Sequence, residues 1–451
     1  MNERQDTIFA LSSGRPPAAI AVVRVSGPRA REALERLTGR VPEPRRAALA
    51  LVRDPERGEA IDQALSLWFP GPASETGEDM AELQLHGGRA VIAAALEALG
   101  RLPGFRPAEA GEFTRRAFLN GRLDLTAVEG LADLIGAETE AQRRQAVRQL
   151  RGALGKRAEG WRAQLVSLQA RIEAGLDFSD ESDVPADLVP AVLREAAALR
   201  EDIRAVLGDA RGGERLREGL TIAIAGPPNA GKSTLFNWLA GREAAIVSPY
   251  PGTTRDVLEV HLSLGGYPVT VLDTAGMRES GDPVEREGIA RARARAQAAD
   301  LVLWVEDVSV ADPPTDAAGK PPAGEAPVWR ILNKADLLSD AALAAPAPAG
   351  TPGFVVSALT EKNLPQLLAA LTAFAAEHLA AGEGALITRA RHRHALNQTV
   401  NALEEMNKHS QQEDLLAEDL RIAATALGRL VGRIDVEDVL DAIFRDFCIG
   451  K

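Results

Sequence analysis

The sequence predicts a multidomain α/β and α protein. An N-terminal α+β domain leads, a helical domain is made from two separated segments, and an α/β domain is inserted between those segments. Three observations predict this. A chain of 451 residues is too long for one ordinary core. Residues 1–120 mix short β-branched runs with helical ones, whereas 121–216 and 381–451 carry three- and four-residue apolar steps. Residues 217–380 alternate strand, loop and helix, the sign of a parallel sheet.

In the first region Ile20-Ala21-Val22-Val23-Arg24-Val25 reads as a strand and Arg89–Leu99 as a helix. In the second, Val147, Leu150, Leu154, Trp161, Leu165, Leu168, Ile172 and Leu176 recur at helical spacing, with Ala158 bridging one longer step. They predict one apolar stripe on one helix. Helical pattern resumes over 389–447, carried by Leu416, Leu420, Leu427, Leu430 and Ile434, then by Leu440, Ile443, Phe444 and Phe447. Two Ala-, Pro- and Gly-rich stretches, Ala311–Pro327 and Ala341–Gly353, read as surface loops.

An apolar fraction of 45% and a charged fraction of 26% are those of a soluble globular protein. The polar start Met1–Asp6 is no secretory signal, and no apolar stretch approaches the roughly 20 residues that span a bilayer. A cytoplasmic protein without a membrane partner is expected. Cys448 is the only cysteine, which excludes an intrachain disulfide. With a net charge of −12, nucleic acid can be met only through local basic patches. The candidates are Arg143, Arg144, Arg148, Arg151, Lys156, Arg157 and the run Arg389, Arg391, Arg393; the simpler reading of either is a solvated helix face.

Within the α/β region, Gly226-Pro227-Pro228-Asn229-Ala230-Gly231-Lys232-Ser233 fits the P-loop pattern between the strand Leu220–Ala225 and a helix that includes Thr234–Leu239. Its glycines let N–H groups, among them those of Ala230, Gly231 and Thr234, curl around phosphates. Lys232 is expected on the terminal phosphates and the Ser233 hydroxyl on Mg²⁺. After the strand Val328–Leu332, Asn333-Lys334-Ala335-Asp336 is a base-reading segment. A carboxylate at Asp336 accepts from N1–H and the 2-amino group of guanine, donors that adenine lacks. Ser357-Ala358-Leu359, after Gly353–Val356, reads as the supporting base loop. Asp273-Thr274-Ala275-Gly276 supplies a carboxylate behind Mg²⁺ and an N–H for the γ-phosphate. One threonine of Pro251-Gly252-Thr253-Thr254 completes the Mg²⁺ shell, with Thr254 favoured. The set is that of a Ras-like P-loop domain binding and hydrolysing GTP.

Ras-type enzymes place a water-orienting glutamine after the last glycine of that segment, where this chain has Met277. A thioether cannot do this, so the catalytic group must come from elsewhere. Asn229 offers a side-chain carbonyl near the phosphates, and Val247–Gly252 can turn backbone carbonyls inward. Carbonyl oxygens suit a monovalent cation such as K⁺, which could supply the charge of an arginine finger.

Further blocks are distinctive. Residues 77–79 read Gly-Glu-Asp and 86–88 His-Gly-Gly. Residues 111–125 read Gly-Glu-Phe-Thr-Arg-Arg-Ala-Phe-Leu-Asn-Gly-Arg-Leu-Asp-Leu, and the chain ends Cys448-Ile449-Gly450-Lys451. With these, the sequence resembles the tRNA-modification GTPase family MnmE, also called TrmE, over essentially its whole length. The resemblance implies a tetrahydrofolate-binding domain (1–120), a helical domain from two segments (121–216 and 381–451) and a G domain (217–380). It implies a homodimer whose G domains meet with K⁺ bound. It also implies a heterotetramer with the FAD-dependent protein MnmG, acting at C5 of the tRNA wobble uridine. A 5-formyl or methylene form of 5,6,7,8-tetrahydrofolate is the implied one-carbon source. By position, Arg24, Glu82, Arg122 and Lys451 are implied as folate contacts; the family commonly has lysine where Arg122 stands. Glu285 is implied as the water-orienting glutamate. Asn229, Ser248, Tyr250 and Thr253 are implied around K⁺, in a loop where Pro251 replaces the family's usual small residue. By itself Glu285 reads as a solvated helix charge, and Cys448 beside Phe447 as a buried apolar residue. The resemblance gives Cys448 a part in the modification chemistry.

Overall fold

The structure, a computed structural model, describes residues 6–177, 188–242, 244–246, 259–273, 298–310, 326–338, 353–434, 440, 443, 444, 447 and 450. The chain divides into two compact units. One comprises Met1–Ala132, Gln149–Val192 and His409–Lys451; the other comprises Asp133–Arg148 and Leu193–Lys408.

The first unit contains a six-stranded sheet of β1 (Thr7–Leu11), β2 (Ala18–Ser26), β3 (Ala48–Arg53), β4 (Ala60–Phe69), β5 (Met80–Gly87) and β6 (Phe105–Pro107). Their order is β3-β4-β5-β2-β1-β6, antiparallel except for the parallel pair β1–β6. The expected strand and helix of this region are both present, the helix as Arg89–Gly100. Period-two alternation splits the sheet into two faces. On one, Val23, Val25, Leu83 and Leu85 pack with Leu34 and Leu37 of the helix Ala30–Thr38 and with Ile92 and Leu99 of Arg89–Gly100. On the other, the helix Glu112–Leu119 brings Phe113 against Ile8 and Ala10 of β1. Leu49, Leu51, Leu65 and Ile20 stay exposed, with Leu49 directly opposite Leu65.

In the same unit the helices Ala153–Asp177 and Glu413–Val431 pack along each other. Leu154, Ala158, Trp161, Leu165, Leu168 and Ile172 are buried as the spacing predicts. The stripe does not lie on one helix, however. Val147 and Leu150 belong to a separate helix, Glu140–Leu150, and the next begins at Ala153. Gly152 makes the break: its φ is +76° and its N–H bonds Gln149 O at 2.8 Å, a turn in place of a helical step. Ile434 likewise lies beyond its expected helix, which ends at Val431. The C-terminal residues Leu440, Phe444 and Phe447 pack on Leu125 and Val128.

The second unit is built on β7 (Leu220–Ala225), β8 (Glu259–Leu264), β9 (Tyr267–Asp273), β10 (Leu301–Asp307), β11 (Val328–Asn333) and β12 (Gly353–Val355), in the order β12-β11-β10-β7-β9-β8. All neighbours are parallel except the edge pair β8–β9. The central strands are near-continuous buried runs, as a sheet covered on both faces requires. The helices Lys232–Ala240 and Leu364–Leu379 contribute Leu235, Phe236, Leu239, Leu364, Leu367, Leu371 and Phe374 to this core. One helical stretch, Leu364–Glu383, is 20 residues long and contains an 18-residue window of mean hydropathy 1.2, a length and composition that the sequence reading did not expect. Its Leu364, Leu367, Leu371 and Leu379 are fully buried in the core of this unit. Most of the two expected Ala/Pro/Gly loops lies outside the described residues.

Candidate active site

At the C-terminal end of β7 the chain turns sharply at Gly226, whose φ is +144°. A Cβ there would stand 2.1 Å from Val305 O of β10, so only glycine lets the loop leave the sheet at this point. The loop runs through Asn229, also at positive φ, and Ala230 to Gly231, which precedes the helix from Lys232. Lys232 is buried, and its Nζ donates to the carbonyls of Gly226 at 2.9 Å and Pro227 at 2.7 Å. Burial pushes its pKa below the usual lysine value, with Asp273 opposing the shift. An incoming phosphate would add to the carbonyl dipoles and the Asp273 charge that now face this cation. Ser233 Oγ donates to Asp273 Oδ2 at 3.0 Å, which sets the expected Mg²⁺-binding hydroxyl against the carboxylate expected behind it. Asp273 is fully buried at the end of β9. Ser233 and Thr234 are exposed on the first helical turn.

The residues expected to read the base begin at the end of β11. Asn333 is buried and braces two loops at once. Its Nδ2 donates to Ala230 O at 2.9 Å and its Oδ1 accepts from Ala358 N at 2.9 Å. Lys334 takes a left-handed backbone, φ +66°, before the single 3₁₀ turn Ala335–Leu337 that carries Asp336. Ser357 Oγ donates to Asp336 Oδ1 and fixes that carboxylate. Ala358 is buried and Leu359 largely exposed. The structure therefore brings Asn229–Thr234, Asp273, Asn333, Lys334, Asp336 and Ser357–Leu359 to one end of one sheet. Ser248, Tyr250, Thr253, Thr254, Thr274, Ala275, Gly276, Glu285, Cys448 and Lys451 lie outside the described residues.

The other unit gathers a second group. Arg24 of β2 faces Glu82 of β5 in register, and its Nε donates to Glu82 Oε1 at 3.1 Å. Its Nη1 lies 2.9 Å from Glu75 Oε2, and its guanidinium stands 5.9 Å from the centroid of Phe113. Arg122 packs against the same loop as Glu75: its Cγ is 3.3 Å from where a Gly77 Cβ would be. Gly450 presses on the end of β1, close enough that a Cβ would stand 2.2 Å from Leu11 O. Leu11 pairs with Val23, the neighbour of Arg24. Below this group Arg116 is buried and bonds Glu112 at 2.9 Å and Glu78 at 3.0 Å. Burial would raise the Glu112 pKa, but Arg106 and Arg116 with the Glu109 N–H hold it below the ordinary value. Glu75 and Phe113 were not singled out from sequence as site residues; the spacing of Glu75 from Arg24 carried no signal of their contact.

Two family models match the chain. That of the MnmE helical domain matches residues 125–448, and that of the GTP-binding protein TrmE N-terminus matches residues 7–122. The first span encloses the inserted α/β domain. A tRNA modification GTPase MnmE from Rhodopseudomonas palustris (strain BisB5) is 54% identical over 468 residues, covering 100% of each chain. One from Bradyrhizobium sp. (strain ORS 278) is 55% identical over 452 residues, again covering 100% of each. Among solved structures, the FeoB G-domain from Methanococcus jannaschii is 25% identical. It covers 35% of this chain and 98% of its own, with a TM-score of only 0.24.

Proposed function

This chain belongs to the MnmE family of tRNA modification GTPases, and on that premise we propose that it is a K⁺-dependent GTPase acting with the FAD-dependent partner MnmG. Together they add an aminomethyl or carboxymethylaminomethyl group to C5 of the wobble uridine. A 5-formyl or methylene tetrahydrofolate serves as the one-carbon donor.

In this proposal Lys232 and the N–H groups of residues 229–234 hold the β- and γ-phosphates, and Asp336 reads the guanine edge. Ser233 and Thr254 would hold Mg²⁺; Asn229, Ser248, Tyr250 and Thr253 would hold K⁺. Bound there, the two cations supply positive charge opposite the phosphate oxygens. Glu285 orients the attacking water. The glycine loop supports nucleotide binding: a Cβ at Gly226 or Gly231 would stand 2.1 Å from Val305 O or 2.2 Å from Asn333 Nδ2, so only glycines let the backbone turn tightly off β7 into the helix N-terminus at Lys232. Four pieces are proposed as functional domains: folate-binding 1–120, helical 121–216 and 381–451, and G domain 217–380. A homodimer is supported by the exposed apolar sheet face of Leu49, Leu51, Leu65 and Ile20. A heterotetramer with MnmG, working on tRNA in the cytoplasm, completes the proposal.

The observation that supports the one-carbon part is the pairing of Arg24 with Glu82 on adjacent strands, with Gly450 against Leu11, which pairs with Val23 next to Arg24. Arg24 and Glu82 offer adjacent donors and an acceptor beside the Phe113 ring, which suits a planar heterocycle bearing both kinds of group. Lys451, next to Gly450, would meet the ligand's glutamate carboxylates, and Cys448 would act in the modification. The test is titration of 5-formyl-tetrahydrofolate into the full-length protein, with Arg24→Ala and Lys451→Ala beside it. Both variants should bind more weakly. Equal binding by all three proteins would sink the assignment. Mass analysis of wobble uridines in cells lacking the gene tests the pathway as a whole.

A further inference from the structure

Lys334 adopts φ +66°, an uncommon backbone for a residue with a Cβ. Its side chain reaches the end of β10, where Nζ meets Asp307 Oδ2 at 2.6 Å. Asp307 is the last residue of β10 and lies in register beside Asn333. Its other carboxylate oxygen accepts from Ser309 N at 3.0 Å and from Ser309 Oγ at 2.7 Å. The carboxylate is thus held by its own turn as well as by the lysine. Burial would raise its pKa, but Lys334 and Ser309 together keep it below the ordinary value, so it stays charged. Both side chains are mostly shielded, at 18% exposure for Asp307 and 33% for Lys334.

We propose that Asp307 is a positioning residue for nucleotide binding: it pins the Lys334 ammonium so that the lysine's methylene stem forms a preset apolar surface for the purine ring. The inference rests on Asn333–Asp336 being the guanine-binding segment. Lysine is among the side chains that lose most rotamer freedom when ordered. Fixed at its backbone by the turn and at its tip by Asp307, the stem is ordered before nucleotide arrives, and binding does not bear that cost. Asp307 touches neither the reacting phosphate nor the Asp336 edge contacts. Its loss should therefore weaken GDP and GTP alike and leave the chemical step alone.

The experiment is a double-mutant cycle on the purified full-length protein, with GDP and GTP affinities measured by fluorescence titration. Asp307→Asn is the main variant, because an amide oxygen still accepts from Ser309 and preserves the turn while the negative charge that holds the Lys334 ammonium is lost. It should raise Kd for both nucleotides about ten-fold, with kcat at saturating GTP within about two-fold of wild type. In a Lys334→Ala background the same change should have no further effect. Unchanged Kd in the single variant overturns the proposal. So does an equal loss in the Lys334→Ala background, which would make Asp307 a support of the loop. Failure of the underlying reading looks different: Asp336→Asn would then leave the preference for guanosine over xanthosine nucleotides intact.

Discussion

Asn333→Ala tests whether the phosphate and base loops are one braced unit. The substitution removes two buried hydrogen bonds, to Ala230 O and from Ala358 N, each at 2.9 Å. Each is worth about 1 kcal/mol net, and a buried group left unpaired costs about 1–3 kcal/mol. Ala230 is 1% exposed and Ala358 7%, so the orphaned carbonyl and amide have little access to bulk water. A water entering the space of the lost amide would recover part of that. The expected loss of stability is therefore about 2–4 kcal/mol. Urea unfolding followed by tryptophan fluorescence is a direct assay, since Trp238, Trp304 and Trp329 all lie in this unit. GDP and GTP affinities should fall by similar factors, because the brace touches loops common to both complexes. Asn333→Asp is the companion variant. It keeps shape and acceptor but sets a carboxylate against Ala230 O, and should do at least as much damage. A loss below about 0.5 kcal/mol, with nucleotide affinities unchanged, would refute the brace.

GTP hydrolysis should be fast in KCl and slow in NaCl, since Na⁺ is too small for a carbonyl cage sized for K⁺; equal rates would end the cation model. Glu285→Ala should slow turnover strongly at nearly normal nucleotide affinity, because a water-orienting group acts in the transition state; lost affinity with preserved turnover would make Glu285 structural. Cys448→Ser should abolish the modified uridine in vivo while K⁺-stimulated hydrolysis by the purified protein stays near normal; full modification would leave the cysteine a packing residue. Lys232 carries a pH prediction. Its folded pKa is depressed by burial below 10.5, so between that value and 10.5 the unfolded chain binds the extra proton and stability of the nucleotide-free protein rises with pH. A phosphate beside Lys232 raises the pKa again, so GDP binding in that window should take up a proton. Calorimetry in two buffers of different ionisation enthalpy measures the uptake, and proton release would contradict it.

What was legible in the sequence is what the chain carries locally. The strand Leu220–Ala225 is a continuous apolar run ending in a glycine loop, and it forms with those bounds. The P-loop, the Asn333–Asp336 segment and Ser357–Leu359 are short stretches whose chemistry is complete within a few residues, so their meeting at one sheet end could be anticipated. The helical stripe failed at Gly152 because a two-residue turn interrupts a helix without disturbing three- and four-residue spacing enough to show. Glu75 and Asp307 were missed for a different reason. Each takes its role from a partner distant in sequence, Arg24 and Lys334, and neither residue is unusual in its own neighbourhood. Cross-strand register and loop return decide such contacts, and periodicity does not encode them.

The basic runs show the same limit acting on function. Arg143 is held by Glu140 at 2.7 Å and Arg144 lies 3.4 Å from Glu383. Arg148 is half-buried and donates to the carbonyls of Glu383 and Ala385. Arg157 stands over the Trp161 ring. In the other run Arg389 bonds Asp133 at 2.6 Å and Arg393 bonds Glu214 at 3.0 Å. A phosphate approaching a guanidinium already paired with a carboxylate meets both charges, and the favourable term largely cancels. Of the six cations in the first run only Arg151 and Lys156 remain exposed without such a contact among the described residues. With a chain charge of −12 opposing a polyanion at longer range, the carboxylate-paired arginines offer a phosphate less attraction than unpaired ones would. The first run is thus mixed: Arg148 is half-buried on backbone carbonyls, whereas Arg151 and Lys156 lie on an exposed face.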